Sequence, residues 1–189
     1  MRTLPTSLPG VVQIEPDVFG DHRGFFAETF RADALAAAGI DVAFVQDNHS
    51  RSVRGTLRGL HFQTSPGQAK LIRCARGAIF DVVVDLRRGS PTFGRWEGFT
   101  LDDESLHQLF IPVGFAHGFC VTSDLADVVY KCSTYYDPAT EAGIAYDDPQ
   151  VGVAWPLDVE PIVSERDATA PRLADVAAAL PFEFALASS

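Results

Sequence analysis

The 189-residue sequence predicts an all-β protein folded as a jelly roll with a few short peripheral helices. The main observation is a succession of short runs that are rich in β-branched and aromatic residues. Clusters of Gly, Pro, Asp and Ser separate these runs, as in "RRGSPTFG", "YDPATEAG" and "DDPQVG". Helical patterns are confined to two short segments, so many strands with inward-facing side chains are expected to build the core.

The elements follow in order along the chain. A short helix is expected at residues 31–38, "RADALAAA", with Gly39 as its stop signal. In "AIFDVVVDL" the alternation places the even-numbered apolar residues on one face of a strand and Asp81 and Asp85 on the other. The runs "HQLFIPV", "HGFCVTS", "DVVYKCSTYY" and "VGVAW" are also interpreted as strands. A second helix is expected at about residues 172–180.

Composition argues against several classes of protein. The net charge of −10 argues against nucleic-acid binding, which needs a basic surface. There is no run of about 18 apolar residues, so no membrane span is expected, and the N-terminus has no apolar core of a secretory signal. Three cysteines without C-x-x-C spacing fit buried thiols in a reducing cytoplasm. The length predicts one domain over residues 1–189.

Part of a metal-binding cupin signature is present. Gly55 precedes His61 at the signature's spacing, and "PVGFAH", which ends at His117, fits its second half. Gln63 replaces the second histidine of the signature, and no glutamate follows at the expected position. Because a divalent transition metal needs three or four His or carboxylate ligands, we expect a cupin-type double-stranded β-helix that holds no metal.

The histidine within "LRGLHFQ" has two interpretations. His61 can be a general base, because imidazole titrates near neutral pH and a carboxylate on one ring nitrogen would set its tautomer. Asp167 is the candidate carboxylate, although the spacing does not show that it approaches His61. The alternative is a buried histidine that donates to a backbone carbonyl.

Strand alternation places Tyr130 on the same face as Val128 and Cys132. If that face points inward, the phenol enters the cavity and can donate a proton; otherwise it is a core tyrosine with a bonded hydroxyl. Lys70 is one of only two lysines beside 13 arginines. A lysine in a chain that otherwise uses arginine indicates a position that needs a compact ammonium; the alternative is that its presence is due to chance.

The segment "DHRGFFAETF", residues 21–30, combines Arg23, Phe26 and Glu28. It is interpreted either as an arm that contacts another subunit or as an edge strand. Arg23, together with Arg58 and Lys70, can clamp phosphates through charge-assisted hydrogen bonds. The alternative is that these cations are ordinary solvated surface charges.

Several long motifs, in unbroken order, resemble the dTDP-4-dehydrorhamnose 3,5-epimerase family. They include "VRGTLRGLHFQ", "QAKLIRCARGAIFDVVVDLRRGSPTFGRW", "IPVGFAHGF", "DVVYKCSTYYDPATEAGIAYDDP" and "SERDATAPRL", and the resemblance runs from about residue 9 to about residue 175. It implies a cupin jelly roll that needs neither metal nor organic cofactor and acts on a dTDP-4-keto-6-deoxyhexose. It also implies a homodimer that exchanges an N-terminal segment, at about residues 1–30.

The resemblance also implies a role for each matching residue. His61 is the expected catalytic base, Asp167 its paired carboxylate, and Lys70 the cation that stabilises the enolate oxygen. Tyr130 is the expected acid on the opposite face of the sugar. The positions expected to contact the nucleotide-sugar are Arg23, Phe26, Glu28, Gln46, Asn48, Arg58, His117, Tyr136, Glu141 and Arg166. Arg166 stands where the family often has lysine, and it keeps the positive charge.

The implied activity is 3,5-epimerisation of dTDP-4-dehydro-6-deoxy-D-glucose to dTDP-4-dehydro-L-rhamnose, in dTDP-L-rhamnose biosynthesis. One alternative is a monoepimerase that acts at C3 or C5 alone in a specialised deoxysugar pathway. A second alternative, from another class, is a sugar-binding cupin without catalysis, which would need no base or acid. A third is a metal-dependent cupin oxygenase.

Overall fold

The computed structural model describes residues 1–185, and strands make up most of its regular structure. The strands are β1 (Arg2–Leu4), β2 (Val12–Glu15), β3 (Val18–Asp21), β4 (Gly24–Ala27), β5 (Gln46–Val53), β6 (Leu57–Gln63), β7 (Lys70–Arg76), β8 (Ala78–Asp85), β9 (Trp96–Asp102), β10 (Gln108–Ile111), β11 (Phe115–Val121), β12 (Leu125–Cys132) and β13 (Glu141–Gly143). The helices are α1 (Ala32–Ala37), α2 (Glu165–Ala168) and α3 (Leu173–Val176), and a 3₁₀ turn (Ala177–Ala179) follows α3.

Two antiparallel sheets face each other. The six-stranded sheet has the order β1-β2-β10-β7-β12-β5, and the five-stranded sheet has the order β13-β6-β11-β8-β9. From β5 to β8 the chain changes sheet at every connection, and it does so again from β9 to β13. This alternation between two sheets is a jelly roll, so the predicted all-β fold with short peripheral helices is confirmed.

The main core lies between the sheets. Ile72 and Cys74 of β7 meet Ile79 and Val83 of β8 there, because alternate residues of each strand point inward. The other face of β8 is buried too, since the C-terminal helices cover the five-stranded sheet from outside. The face that carries Asp81, a fully buried residue, is therefore the interior face of the jelly roll.

The predicted helices are confirmed, but one predicted strand is wrong. Residues 31–38 and 172–180 contain α1 and α3. Residues 151–155, "VGVAW", form no strand. Val153 and Trp155 instead pack on the outside of the five-stranded sheet, and the Trp155 indole N–H donates to the Tyr146 carbonyl at 2.9 Å. The alternate apolar residues in this segment are explained by packing of one side against the sheet, and no strand pairing is needed.

After α3 the chain runs back along the outside of the five-stranded sheet. Phe182 is buried in the outer cluster, and Arg88 and Glu183 form a parallel bridge that ties residues 181–185 to the body. Residues 186–189 of the predicted domain lie outside the described part of the chain. Within residues 1–185, no helix has the length and apolar character needed to cross a membrane.

The N-terminal thirty residues divide into two parts. β1 and β2 belong to this chain's own six-stranded sheet, whereas within the described part of the chain β3 and β4 pair only with each other, as a separate hairpin. The hairpin exposes Phe19, Phe25 and Phe26, the last with 69% of its surface accessible. Its exchange with a second subunit stays a prediction.

Two glycines bring β6 and β11 unusually close together. A Cβ added at Gly59, whose φ is +136°, would lie 2.5 Å from the Gly118 Cα, so only glycine fits there. The β11 register shifts at the same place, between His117 and Phe119. As a result His61 and His117 stand opposite each other across the ladder.

Candidate active site

One end of the space between the sheets is an open cavity of about 620 Å³. Eight of the residues predicted from the sequence line this cavity: Arg58, His61, Lys70, His117, Tyr130, Glu141, Arg166 and Asp167. They come from both sheets and from α2. The fold therefore collects in one place side chains that are up to 109 positions apart, from Arg58 to Asp167.

His61 and Asp167 form a close pair at the cavity wall. The Nε2 atom of His61 lies 2.6 Å from Oδ1 of Asp167, which is 5% exposed. The Ser164 hydroxyl caps α2 by accepting from the Asp167 N–H at 3.2 Å, and the Gly59 N–H donates to Oδ2 at 3.4 Å. Burial acts to raise the pKa of Asp167, but the hydrogen bond and charge of His61 outweigh it, so the pKa is lowered. A charged Asp167 favours the imidazole tautomer that carries hydrogen on Nε2.

Arg166 competes for the same imidazole nitrogen. Its Nη2 atom lies 2.7 Å from Nε2 of His61, and its Nη1 atom pairs with the Glu141 carboxylate. Glu141 also accepts from the Tyr136 hydroxyl at 2.9 Å. A guanidinium can donate to Nε2 only when that nitrogen carries no hydrogen, whereas Asp167 requires the hydrogen. The two neighbours therefore favour opposite tautomers of His61.

Lys70 and Tyr130 face the cavity from the other sheet. Lys70 begins β7 and pairs with Cys132 of β12, so Tyr130, two residues earlier on β12, points to the same side. Burial lowers the pKa of Lys70, whereas burial raises the pKa of Tyr130 and so keeps the phenol protonated at neutral pH. The face that Tyr130 was predicted to share with Val128 and Cys132 points inward, and of the two interpretations left open the structure favours a phenol that lines the cavity. A phenol and a lysine amine thus lie across the cavity from the imidazole of His61.

His117 is hydrogen-bonded to Asp81, a residue to which the sequence analysis gave no role. Its Nε2 atom lies 2.8 Å from Oδ2 of Asp81, which is 0% exposed. Burial lowers the pKa of His117 and raises that of Asp81. A carboxylate between Phe80 and Val82, at the start of the apolar run in "FDVVVD", is the signal that could have identified Asp81, because a charged residue is seldom enclosed without a partner.

A smaller chamber of about 250 Å³ adjoins the main cavity. Gln46, Asn48, Gln63 and Tyr136 line it, and it shares His61, Lys70, Tyr130 and Glu141 with the larger space. Gln46 accepts from the Tyr136 N–H at 2.8 Å, and Asn48 donates to the Cys132 thiol at 3.5 Å. His61, Lys70 and Tyr130, which are expected to act on the reacting sugar, therefore lie where the two spaces meet.

Three predicted residues lie elsewhere in this chain. Arg23 is at the hairpin tip, where its guanidinium pairs with Asp21. Phe26 and Glu28 line a separate pocket of about 220 Å³ under the hairpin. Their predicted contact with the nucleotide-sugar requires a second subunit, so it stays a prediction.

The donor set does not suit a transition metal. Gln63 occupies the place of the second signature histidine, and its Nε2 donates to the Asp137 carbonyl at 3.4 Å. Within residues 1–185 there is no group of three or more His, Cys, Asp or Glu side chains arranged to hold a metal ion. Arg58, whose Nε donates to the Ser52 hydroxyl at 3.1 Å, adds a cation at the cavity.

The fold and the cavity define a cupin-type jelly roll with an acid–base set suited to proton transfer at carbon, as in an epimerase. A family model described as dTDP-4-dehydrorhamnose 3,5-epimerase matches residues 5–175. The chain therefore belongs to the dTDP-4-dehydrorhamnose 3,5-epimerase family, and it is an isomerase. The resemblance inferred from the sequence motifs is confirmed.

Individual relatives agree with this assignment. The chain is 52% identical over 167 residues to the dTDP-4-dehydrorhamnose 3,5-epimerase of Neisseria gonorrhoeae, covering 88% of this chain and 51% of that protein, about half its length. It is 52% identical over 168 residues to the enzyme of that name from Methanothermobacter thermautotrophicus, covering 88% of this chain and 91% of the relative. A dTDP-4-dehydrorhamnose 3-epimerase from Streptomyces niveus is 47% identical over 177 residues, covering 93% of this chain and 85% of that protein.

A solved structure matches almost the whole chain. The crystal structure of dTDP-6-deoxy-D-glucose-3,5-epimerase from Legionella pneumophila, in complex with dTDP-4-keto-L-rhamnose, has a TM-score of 0.95 and 46% sequence identity. The match covers 98% of this chain and 99% of that chain.

Proposed function

We propose that this protein catalyses the 3,5-epimerisation of dTDP-4-dehydro-6-deoxy-D-glucose to dTDP-4-dehydro-L-rhamnose, a step of dTDP-L-rhamnose biosynthesis. The observation that carries the proposal is the placement of His61 and Tyr130 on facing sheets of one cavity, with Lys70 beside Tyr130. Inversion at carbon needs a base on one face of the sugar and an acid on the other. Family membership supplies the substrate class.

The reaction begins at a C–H bond next to the 4-keto group. His61, with Nε2–H donating to Asp167, has Nδ1 free to remove the proton. The electron pair moves to the ketone oxygen and forms an enolate, which the Lys70 ammonium stabilises. Tyr130 then delivers a proton to the carbon from the opposite face. The oxidation state of the sugar does not change, so the sequence of steps requires no redox cofactor.

The nucleotide part of the substrate is assigned by charge. Arg58 and Arg166 present guanidinium groups to the main cavity and suit the two phosphates. A diphosphate that takes up Arg166 would remove its contact with His61 and leave Asp167 as the partner of Nε2. Substrate binding would thereby select the imidazole tautomer that can act as base.

The amides of the smaller chamber give the substrate uncharged hydrogen-bond partners. Gln46 and Asn48 can bind hydroxyl or base oxygens, while Tyr136 offers an exposed aromatic ring at the chamber rim. Glu141, shared by both spaces, orders Tyr136 and Arg166 together. These contacts would hold the reacting ring at the junction where His61 stands.

The working assembly is proposed to be a homodimer in the cytoplasm. The exposed aromatic rings of the β3–β4 hairpin support it, because an apolar surface of that kind is normally covered. In this assembly the hairpin would bring Arg23, Phe26 and Glu28 to the partner's substrate. Sedimentation of the native chain and of a Phe26→Ser variant tests the assembly; an unchanged monomer in both contradicts it.

Incubation with dTDP-4-keto-6-deoxyglucose in heavy water, followed by proton NMR, tests the activity. Solvent deuterium should appear at both C3 and C5, and His61→Asn should abolish exchange at both carbons. His107→Asn is the matched control, because His107 lies outside the cavity and contacts Gln13 at 3.2 Å. A chelator should leave the rate unchanged.

Other results would contradict the proposal in distinguishable ways. Label at one carbon only identifies a monoepimerase, the reaction named for the Streptomyces niveus relative. Tight binding without exchange identifies a sugar-binding protein. Loss of the rate on chelation, restored by one metal ion per chain, identifies a metal-dependent enzyme.

A further inference from the structure

Asp81 is a buried carboxylate with an incomplete set of partners. It is 0% exposed, and while Oδ2 pairs with His117, Oδ1 has no hydrogen-bond partner among the described residues. An anion enclosed in this way needs a nearby positive charge to remain ionised. The candidate cation is Lys70, a partly buried side chain that lines the cavity and points into the space between the sheets from the facing sheet.

In the part of the chain that the structure describes, the charged or titratable side chains that line the cavity together with Lys70 are Arg58, His61, His117, Tyr130, Glu141, Arg166 and Asp167. Asp81 of β8 and Cys132 of β12 lie close enough to act on Lys70 when they are charged, although they do not line the cavity. Burial raises the pKa of both Tyr130 and Cys132, so neither is an anion at neutral pH. Glu141 is already bound to Arg166 and Tyr136. Asp167 is bound to His61 and lies beside Arg166. Within residues 1–185, Asp81 is therefore the carboxylate that is left to balance Lys70.

We propose that Asp81 is a positioning residue for the cation of the active site: its charge keeps Lys70 protonated at the cavity wall, and its hydrogen bond holds His117 with Nδ1 free to accept. Burial lowers the pKa of Lys70, while the negative charges of Asp81 and Glu141 oppose the fall. A neutral amine would stabilise an enolate poorly. The chemical purpose rests on the proposed function, whereas the charge coupling is a property of the resting protein.

The composition of the chain makes the coupling directly measurable. Lys70 and Lys131 are the only lysines in the sequence, so protein labelled with ¹³C at the lysine side chain gives two titrating signals. Lys131→Arg removes one and assigns the other to Lys70, and it keeps the charge that Asp47 pairs with. In this background, Asp81→Asn should lower the Lys70 titration midpoint by about one pH unit or more.

Asp85→Asn is the matched control. Asp85 lies on the same strand and is also 0% exposed, but it pairs with Arg87 and Ser90 away from the cavity. Its loss should lower the melting temperature and leave the Lys70 midpoint unchanged. In the active enzyme, Asp81→Asn should move the alkaline limb of the kcat profile to lower pH by the same shift as the NMR midpoint.

Two results overturn the proposal. One is an unchanged Lys70 midpoint in folded Asp81→Asn or, where that variant does not fold, in Asp81→Ser. The other is a native protein in which Lys70 is already neutral at pH 7, which needs no variant at all. Because the titration uses no substrate, a failure here leaves the epimerase assignment standing, and an enzyme without epimerase activity leaves the coupling standing.

Discussion

Replacement of Asp167 by asparagine is the most direct test of the paired base. The amide fits the same space but carries no charge, so it cannot stabilise the imidazolium that forms when His61 takes a proton. At 2.6 Å, two unit charges attract by about 6 kcal/mol with an effective dielectric constant near 20. His61 is 23% exposed, so water replaces part of this attraction, and about 4–5 kcal/mol remains.

That loss corresponds to a fall in kcat of about 10³- to 10⁴-fold, at one decade per 1.4 kcal/mol. A similar loss is expected where an amide selects the wrong histidine tautomer. Deuterium exchange by NMR gives kcat, and calorimetry with dTDP checks that nucleotide affinity is kept.

Glu165→Gln is the control for this experiment. It removes one negative charge from the same short helix at an exposed position outside the cavity lining. A folded Asp167→Asn enzyme that stays within tenfold of the native rate would refute the paired-base argument. An equal loss in Glu165→Gln would attribute the effect to helix charge instead.

Three further predictions concern single side chains. Tyr130→Phe should slow inversion by about 10²- to 10⁴-fold while His61 continues to exchange substrate protons with solvent, and NMR separates the two rates. Gly59→Ala should lower the free energy of unfolding by more than Gly89→Ala does. Gly89 has a φ of +78° but open space around it, so its replacement should cost only the backbone strain of about 1–2 kcal/mol. Equal urea midpoints for the two variants would contradict this. The hydrogen bonds from Arg51 hold the pKa of Asp127 well below its usual range, so Asp127 stabilises the fold above about pH 4 and loses that contribution as the pH falls. Asp127→Asn should therefore flatten the acid side of a plot of melting temperature against pH, and an unchanged slope would count against it.

The fold followed from the sequence because its signals are local. Alternation on β12 oriented Tyr130 correctly, and Gly39 ended α1 where predicted. The alternation in residues 151–155 misled because it reports one-sided burial, which packing of Trp155 supplies without a strand. The alternation of apolar and polar residues in a segment does not show whether another strand hydrogen-bonds to its backbone.

The site was only partly predictable from residue patterns. His61 and Asp167 are 106 positions apart, so no spacing rule could join them, and the motif resemblance alone paired them. Asp81 received no role because alternation alone placed it on the face opposite the apolar residues, although its position within an apolar run indicated that both faces of β8 are covered. α2, which carries Asp167, is a single turn and too short to show a helical period.

The placement of the proposed base on one sheet and of the acid and ammonium on the other has a consequence for how the family diversifies. The gap between the reacting groups is set by the thickness of the apolar layer beneath them, where Ile72 and Val83 meet. A methylene gained or lost there would alter proton-transfer geometry without touching the sugar. A member of the family that keeps these reacting groups would therefore need only a change of interior volume to alter which carbon it inverts.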